Sequence, residues 1–495
     1  MDSISVINIG IDVNLKEYLN EIKYVFGNIA NICGYPYKIN LIGLDKKIAG
    51  PQDKLAIYYG SFIQDVEAPI KVLYSQDDYL KANAFSPVDF CEESGIPFIK
   101  FTEVQRCVQE NGSGGIVFLN DIFFSSFWML TGHQENSYHQ DGRGNYHLAG
   151  TFYLKNALNE KPIVSIYANI IKKYLLRNNG SLGIAEPMSL PYANQSKRAA
   201  IALSHDVDYP QMVKWIECLR IIGKKGFSGL KYLLPIMNGS CNFWKFAEWM
   251  EFEKSLCAKS AFYFMGCKGS LLEYFLGKPD VFYDIRTKEF SEAFSSIRDA
   301  GFEIGMHASF NAYKSAEAFL KEKDSVEQTS KAKVYGNRHH YWHLKPRDNQ
   351  DTLKMHERAG LLYDSSLLYE FYPGFRRGIC HPFYPYDITE RREIKVLQLP
   401  PAWMDNQFDS HIKENRMQDP QAYAKGIMNT VLMNNGVLVL DYHVRGMNEI
   451  FYPRYGSWLK SLFLKEINIG EFNFLSPLEV AQGWIKHTSR INQIE

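Results

Sequence analysis

An α/β fold built around a parallel sheet is what this chain of 495 residues predicts. Three observations lead there. From Ala199 onward, short apolar runs alternate with stretches of helical length, as repeated strand–helix units require. Those runs end again and again on a charged or titratable side chain, and in parallel α/β folds the carboxyl ends of the strands face the ligand. Upstream, a second series of short apolar runs encloses an amphipathic segment, so a smaller α/β unit precedes the first. The length exceeds one hydrophobic core and predicts two domains, residues 1–185 and 198–490. Asn178–Lys197, rich in Gly, Pro, Ser and Asn, is the expected linker.

In the first unit, Ser5–Ile9, Tyr37–Ile42, Lys54–Tyr59 and Ile70–Tyr74 read as strands, with Leu15–Ile32 as a helix between the first two. No glycine-rich phosphate or dinucleotide motif accompanies them. His133, His139 and His147 surround Asp141 at irregular spacing, which reads as a polar surface loop and not a metal site. The most apolar stretch, Ile116–Leu130, is too short to span a bilayer and contains Asn120 and Asp121.

The second unit opens with the apolar run Ala199–Leu203, which runs into Ser204-His205-Asp206-Val207-Asp208. Two carboxylates one residue apart repel each other unless a cation or a shared proton intervenes. Alone, such a pair is as often a helix cap. The rest of the chain repeats the pattern. Ala258–Gly266 reads as a strand and Glu289–Ala300 as a helix; Phe302–Met306 is a strand ending on His307. Lys333–Gly336 runs into Asn337-Arg338-His339-His340-Tyr341-Trp342-His343, followed by a helix at Asp351–Ala359. Leu361-Leu362-Tyr363 leads to Asp364, Val396–Leu399 to Pro400-Pro401, and Val437–Leu440 to Asp441-Tyr442-His443. Asp206, Asp208, His307, Arg338, His340, Asp364 and His443 thus all follow an apolar run, and their joint placement outweighs the structural reading that each would earn singly.

The segments SHDVD, GMHASFNAY, GNRHHYW, YDSSLLYEFYPGFRRG and LVLDYHVRG resemble the five ordered motifs of the polysaccharide deacetylase domain (NodB homology, carbohydrate esterase family 4). The resemblance covers Ala199 to Lys486. Phe118–Leu130, Asp141-Gly142-Arg143-Gly144 and Lys161-Pro162-Ile163-Val164 resemble an accessory domain that precedes this one in a bacterial subfamily. The resemblance implies a deformed (β/α) barrel of about seven strands and hydrolysis of N-acetyl groups on sugars with zinc (Zn2+) or another divalent metal ion. By the same resemblance, Asp206 is the catalytic base, Arg338 orients it, His443 is the general acid, and Asp208 and His307 are metal ligands. The family's second histidine, four residues after His307, is Asn311 here. Imidazole binds borderline metals better than an amide does, so His340 is the expected third ligand.

Amide hydrolysis needs an activated water, a stabilised oxyanion and a proton for the leaving nitrogen. A cation on Asp208 and His307, a base at Asp206 and an acid at His443 would supply all three. Arg376, Tyr341 and Asp364 are the candidate substrate contacts, with Arg376-Arg377 either a charged rim or a solvated pair. Asp441 is expected to orient the acid or anchor the structure; His343 and His381 are expected to be structural or rim residues. The competing readings are a metal-independent or non-sugar amide hydrolase and a catalytically silent carbohydrate-binding module.

Fifty-five basic residues balance fifty-five acidic ones. No electrostatic footprint for nucleic acid follows, and no run of basic residues marks an anionic membrane. The aromatic share of 14% suits contact with carbohydrate. Eight scattered cysteines without a Cys-x-x-Cys pair argue for reduced thiols, and the N-terminus lacks the pattern of a signal peptide. The expected location is cytoplasmic, where a small or lipid-linked precursor is a more fitting substrate than finished cell wall.

Overall fold

The computed structural model describes residues 5–492 apart from 44–53, 62, 65, 76–77, 113, 143, 195, 271, 273–279, 347, 409–418 and 467–468. Arg143 of the upstream motif therefore lies outside the described residues. The first sheet comprises β1 (Ile7–Asp12), β2 (Tyr37–Ile42), β3 (Leu55–Gly60), β4 (Ile70–Leu73), β5 (Val108–Glu110) and β6 (Ile116–Phe118). Their order is β2-β1-β3-β4-β6-β5, parallel except for the last pair. The helix Ile122–Thr131 is buried on all sides, which accounts for apolar residues on every face of it; Asp121 caps it by accepting from the amides of Phe123 and Phe124. Among the described residues no helix is long and apolar enough to cross a membrane.

The second sheet is open, curled and wholly parallel, the half-closed form of a (β/α) barrel. It contains β7 (Ala199–Val207), β8 (Ala261–Phe264), β9 (Glu303–Ala308), β10 (Gly336–His339), β11 (Tyr363–Asp364), β12 (Leu397–Gln398), β13 (Pro401–Met404), β14 (Val437–Asp441) and β15 (Phe472–Phe474). The order is β12-β11-β10-β9-β8-β7-β14-β13, with β15 on the start of β7. All nine residues of β7 are buried, as a central parallel strand covered on both faces must be.

Two strands extend further than their apolar residues suggest. β7 continues through Asp206, and β10 begins only at Gly336, so that Asn337, Arg338 and His339 pair with Met306, His307 and Ala308. Their polar side chains find partners inside the fold: Asn337 donates to Asp364, Arg338 to Asp206, and His339 Nε2 meets His356 Nε2 at 2.8 Å. The hydrophobic core runs without a break from the first sheet into the second, from Ile7 to Trp484. Polar contacts cross the same boundary: Arg391 and the Tyr386 hydroxyl both donate to Glu21, and Ser165 meets His381 Nδ1 at 2.9 Å.

Candidate active site

β7 and β9 end at the same mouth of the curled sheet with β8 between them, and His340 follows the end of β10, the next strand beyond β9. Asp208 Oδ1 lies 3.2 Å from His307 Nε2 and 3.6 Å from His340 Nε2. One ligand atom from each of these three buried residues lies within 4.8 Å of the others. His307 Nε2 and Asp208 Oδ1 face each other without an aligned hydrogen bond although both are buried, so two potential ligand atoms converge on one point. The rear nitrogens are both engaged. His307 Nδ1 donates to the Arg338 carbonyl at 2.9 Å, and His340 Nδ1 faces Asp280 at 3.4 Å. That support fixes the tautomer which turns each Nε2 lone pair inward. A borderline divalent cation fits this donor set, which leaves positions for water or substrate.

Asp206 stands beside the trio, 3.8 Å from His307 Nε2. Arg338, wholly buried, donates to Asp206 at 3.0 Å through Nη1, to the Ser204 and Ser365 hydroxyls through Nη2, and to the Ser365 carbonyl through Nε. Its guanidinium lies over the Tyr263 and Trp342 rings. A fork held through all three nitrogens cannot turn away from the carboxylate. Asp441 lies 3.0 Å from the same Nη1 but accepts no hydrogen bond. Burial, and then the neighbouring Asp206, hold its carboxyl well above the usual carboxylate range against the pull of Arg338.

His443 faces the trio from the other side. Its Nε2 is 3.0 Å from Asp208 Oδ2, while Asp405 accepts from its Nδ1 and from its backbone amide, both at 2.9 Å. Burial works against the charged imidazole, yet Asp405 and Asp208 outweigh it and raise its pKa well above the ordinary value. At Asp208, burial is likewise outweighed, by His443, His340 and His307, and its pKa falls well below the usual range. Tyr341 and Trp342 follow His340 with φ of 57° and 54°. Two bulky residues in the left-handed region are a strained pair, held there by the packing around the mouth.

A family model described only as a family of unknown function (DUF7033) matches residues 11–179. No curated protein matches the chain. Among solved structures, the chain is similar to a protein of Mycobacterium smegmatis assigned as a polysaccharide deacetylase, with 13% identity over 61% of this chain and 94% of that one and a TM-score of 0.38. It is also similar to the peptidoglycan deacetylase PdaC of Bacillus subtilis, with 12% identity, coverage of 60% and 96%, and a TM-score of 0.24. A CE4 family pseudoenzyme of Bacillus anthracis shares 13% identity over 61% and 71%, with a TM-score of 0.28.

The structure thus gathers Asp206, Asp208, His307, Arg338, His340 and His443 into one cluster, with Tyr341 half-buried at its edge. Asn311 is exposed and takes no place in it. Three expectations need correcting. Arg376 is no rim residue: it is buried in a two-pronged pair with Glu135 at 2.7 and 3.1 Å, flanked by the Tyr146 and Tyr369 rings. Asp364 is no substrate contact either, because it is buried and accepts from Asn337, the Ser366 amide and the Ser366 hydroxyl. Of the two roles open for Asp441, holding His443 falls to Asp405 instead, which accepts from its Nδ1 and its backbone amide. Tyr369, Tyr372, Trp403 and Tyr442, which stand in or near the motif segments, are core residues.

Asp405, Asp280 and Arg445 were not foreseen. Asp405 follows the apolar strand β13, so the rule that found the others reaches it as well. Asp280 has no such signal. Arg445 lies two residues beyond His443, with Nη1 3.5 Å from Asp208, and borders a recess of about 200 Å³ together with Tyr209, Phe282 and Tyr452. A larger cavity, about 1040 Å³, lies elsewhere, between the helices Ile163–Arg177 and Pro420–Met433, and none of the cluster residues lines it.

Proposed function

We propose that this protein is a metal-dependent hydrolase that removes the acetyl group from an N-acetylated sugar of a glycan or glycan precursor. The observation that carries the reading is the pairing of an unbonded Asp–His–His donor set with a base and an acid on its two sides. A module that only binds sugar needs neither. Asp208, His307 and His340 would hold the ion; when bound, it supplies Lewis-acid polarisation of the carbonyl and a bound water of lowered pKa. Asp206 takes the proton of the attacking water, with Arg338 holding the carboxylate in line. Arg338 offers Asp441 no aligned hydrogen bond, so Asp206 alone of the two carboxyls accepts from it. His443 donates from Nε2 to the departing nitrogen, with Asp405 holding the ring through Nδ1. The recess beside Arg445 offers aromatic faces for a sugar ring.

Acetate release from N-acetylglucosamine oligomers and from nucleotide- or lipid-linked N-acetyl sugars tests the reading. Asp206→Asn should lower it roughly 10²–10⁴-fold while leaving bound metal in place, because an amide cannot take a proton. Unchanged turnover in the folded variant would remove Asp206 from the reaction.

A further inference from the structure

Between β7 and the helix Phe246–Ser255 the chain leaves the barrel as two short helices, Lys214–Lys225 and Leu233–Asn238, joined by a tighter turn at Gly226–Tyr232. The inner side of this hairpin is ordinary. Ile221 and Ile236 pack with Cys241, Phe243 and Phe451 in a small core separate from the main one. Its outer side is not. Phe227 is 93% and Leu234 73% exposed, and Trp215, Leu219, Leu230 and Met237 are each exposed by half or more. Soluble surfaces seldom gather this many large apolar side chains in one place.

The charges of the same segment are equally one-sided. Lys214, Arg220, Lys224, Lys225 and Lys231 stand against Glu217 alone, so residues 214–238 carry 5 − 1 = +4 in a chain whose formal net charge is zero. Arg220 is paired with Glu217 at 2.8 Å. Lys214 and Lys224 donate to the carbonyls of Met237 and Phe451, which neutralises nothing, and Lys225 and Lys231 lie over the Tyr232 ring. Exposed Trp, Phe and Leu interleaved with Lys on short helices is the pattern of a segment that lies in the headgroup region of a membrane. Self-association would set +4 against +4, whereas anionic lipid complements that charge.

We propose that this hairpin docks the protein on the surface of an anionic lipid bilayer. The site lies beside it: Val213, Ile216, Glu217 and Arg220 share the recess that Arg445 borders. Docking would therefore hold the mouth of the barrel at the headgroup plane. The basic residues are not contiguous in the sequence, which is why no basic run announces them.

Flotation of the full-length protein with vesicles tests the proposal without any turnover, so it stands apart from the hydrolase reading. Vesicles of phosphatidylcholine and phosphatidylglycerol should carry the protein, and phosphatidylcholine alone should bind at least about tenfold less. Phe227→Ser/Leu234→Ser should lose about tenfold or more of the binding to the mixed vesicles. Lys225→Gln/Lys231→Gln should lose a similar factor on mixed vesicles only. All four side chains lie at the surface, so the thermal midpoint should not move. Failure of the unaltered protein to float with either vesicle would overturn the proposal, as would flotation of Phe227→Ser/Leu234→Ser at the original level. A dimer dispersed by Phe227→Ser/Leu234→Ser, with no vesicle binding, would make the hairpin a protein–protein face instead.

Discussion

Replacing Asp405 by Asn separates the orienting carboxylate of His443 from the carboxyl beside it. Asp405 makes two contacts to His443, one to the backbone amide and one to Nδ1, each 2.9 Å. The carbonyl oxygen of Asn can keep the first. Its NH2 then faces Nδ1, so the ring must accept there, and the imidazolium loses the carboxylate that stabilises it. At an effective dielectric of about 20, two unit charges near 3 Å attract by ~5 kcal/mol, which sets the ceiling. The loss of a positioned general acid falls at ~3–5 kcal/mol, or roughly 10²–10⁴ in rate. Asp405→Asn should therefore slow acetate release from an N-acetylated oligosaccharide by that factor, with little change in KM. It should spare hydrolysis of an activated aryl acetate, whose leaving group needs no proton. Asp441→Asn is the matched control: burial and Asp206 hold its carboxyl well above the usual carboxylate range and it makes no hydrogen bond, so an amide of the same shape should leave the rate near that of the unaltered protein. Equal slowing of amide and aryl ester by Asp405→Asn, or a large loss in Asp441→Asn with none in Asp405→Asn, would refute this assignment of the acid.

Other expectations concern metal, stability and pH. His340→Ala should lose bound metal by elemental analysis while Asn311→Ala keeps it, since Asn311 is exposed and His340 faces Asp208; the reverse result would place the third ligand on Asn311. Glu135→Gln should destabilise the protein in denaturant by ~3–5 kcal/mol, because it strands Arg376 and Arg377 in the interior, 2.7 and 3.3 Å from the lost charge. A raised KM without loss of stability would instead return Arg376 to the substrate. Burial lifts the Glu303 carboxyl from 4.5 to about 7, against hydrogen bonds from Tyr363 and the Leu478 amide. The unfolded chain gives up this proton near 4.5 and the folded one only near 7, so the group costs stability as pH rises through that interval. Glu303→Gln removes this cost, and its stability relative to the unaltered protein should improve by ~1–3 kcal/mol between acid and mildly alkaline pH. A difference that does not vary with pH would show that Glu303 is already ionised in the folded protein.

The parallel α/β architecture and six cluster residues were legible in the sequence because both are local signals. A strand's apolar run and the residue that ends it are neighbours in the chain, whatever the rest does. Asp206, Asp208, His307 and His443 could be found in this way without knowing which strands pair. Partnership is different. Asp405 supports His443 because β13 lies parallel to β14, with Met404 opposite Asp441, and nothing within either segment states that pairing. Arg338 reaches Asp206 across 132 positions, and Arg376 reaches Glu135 across 241. In sequence, the two arginines look alike, each in a polar stretch after an apolar run. The tertiary structure aims one at Asp206 and spends the other on joining the first sheet to the second. A side chain's identity and spacing are covalent facts; its counter-charge is set by the order of the sheet, which forms only when distant segments pack.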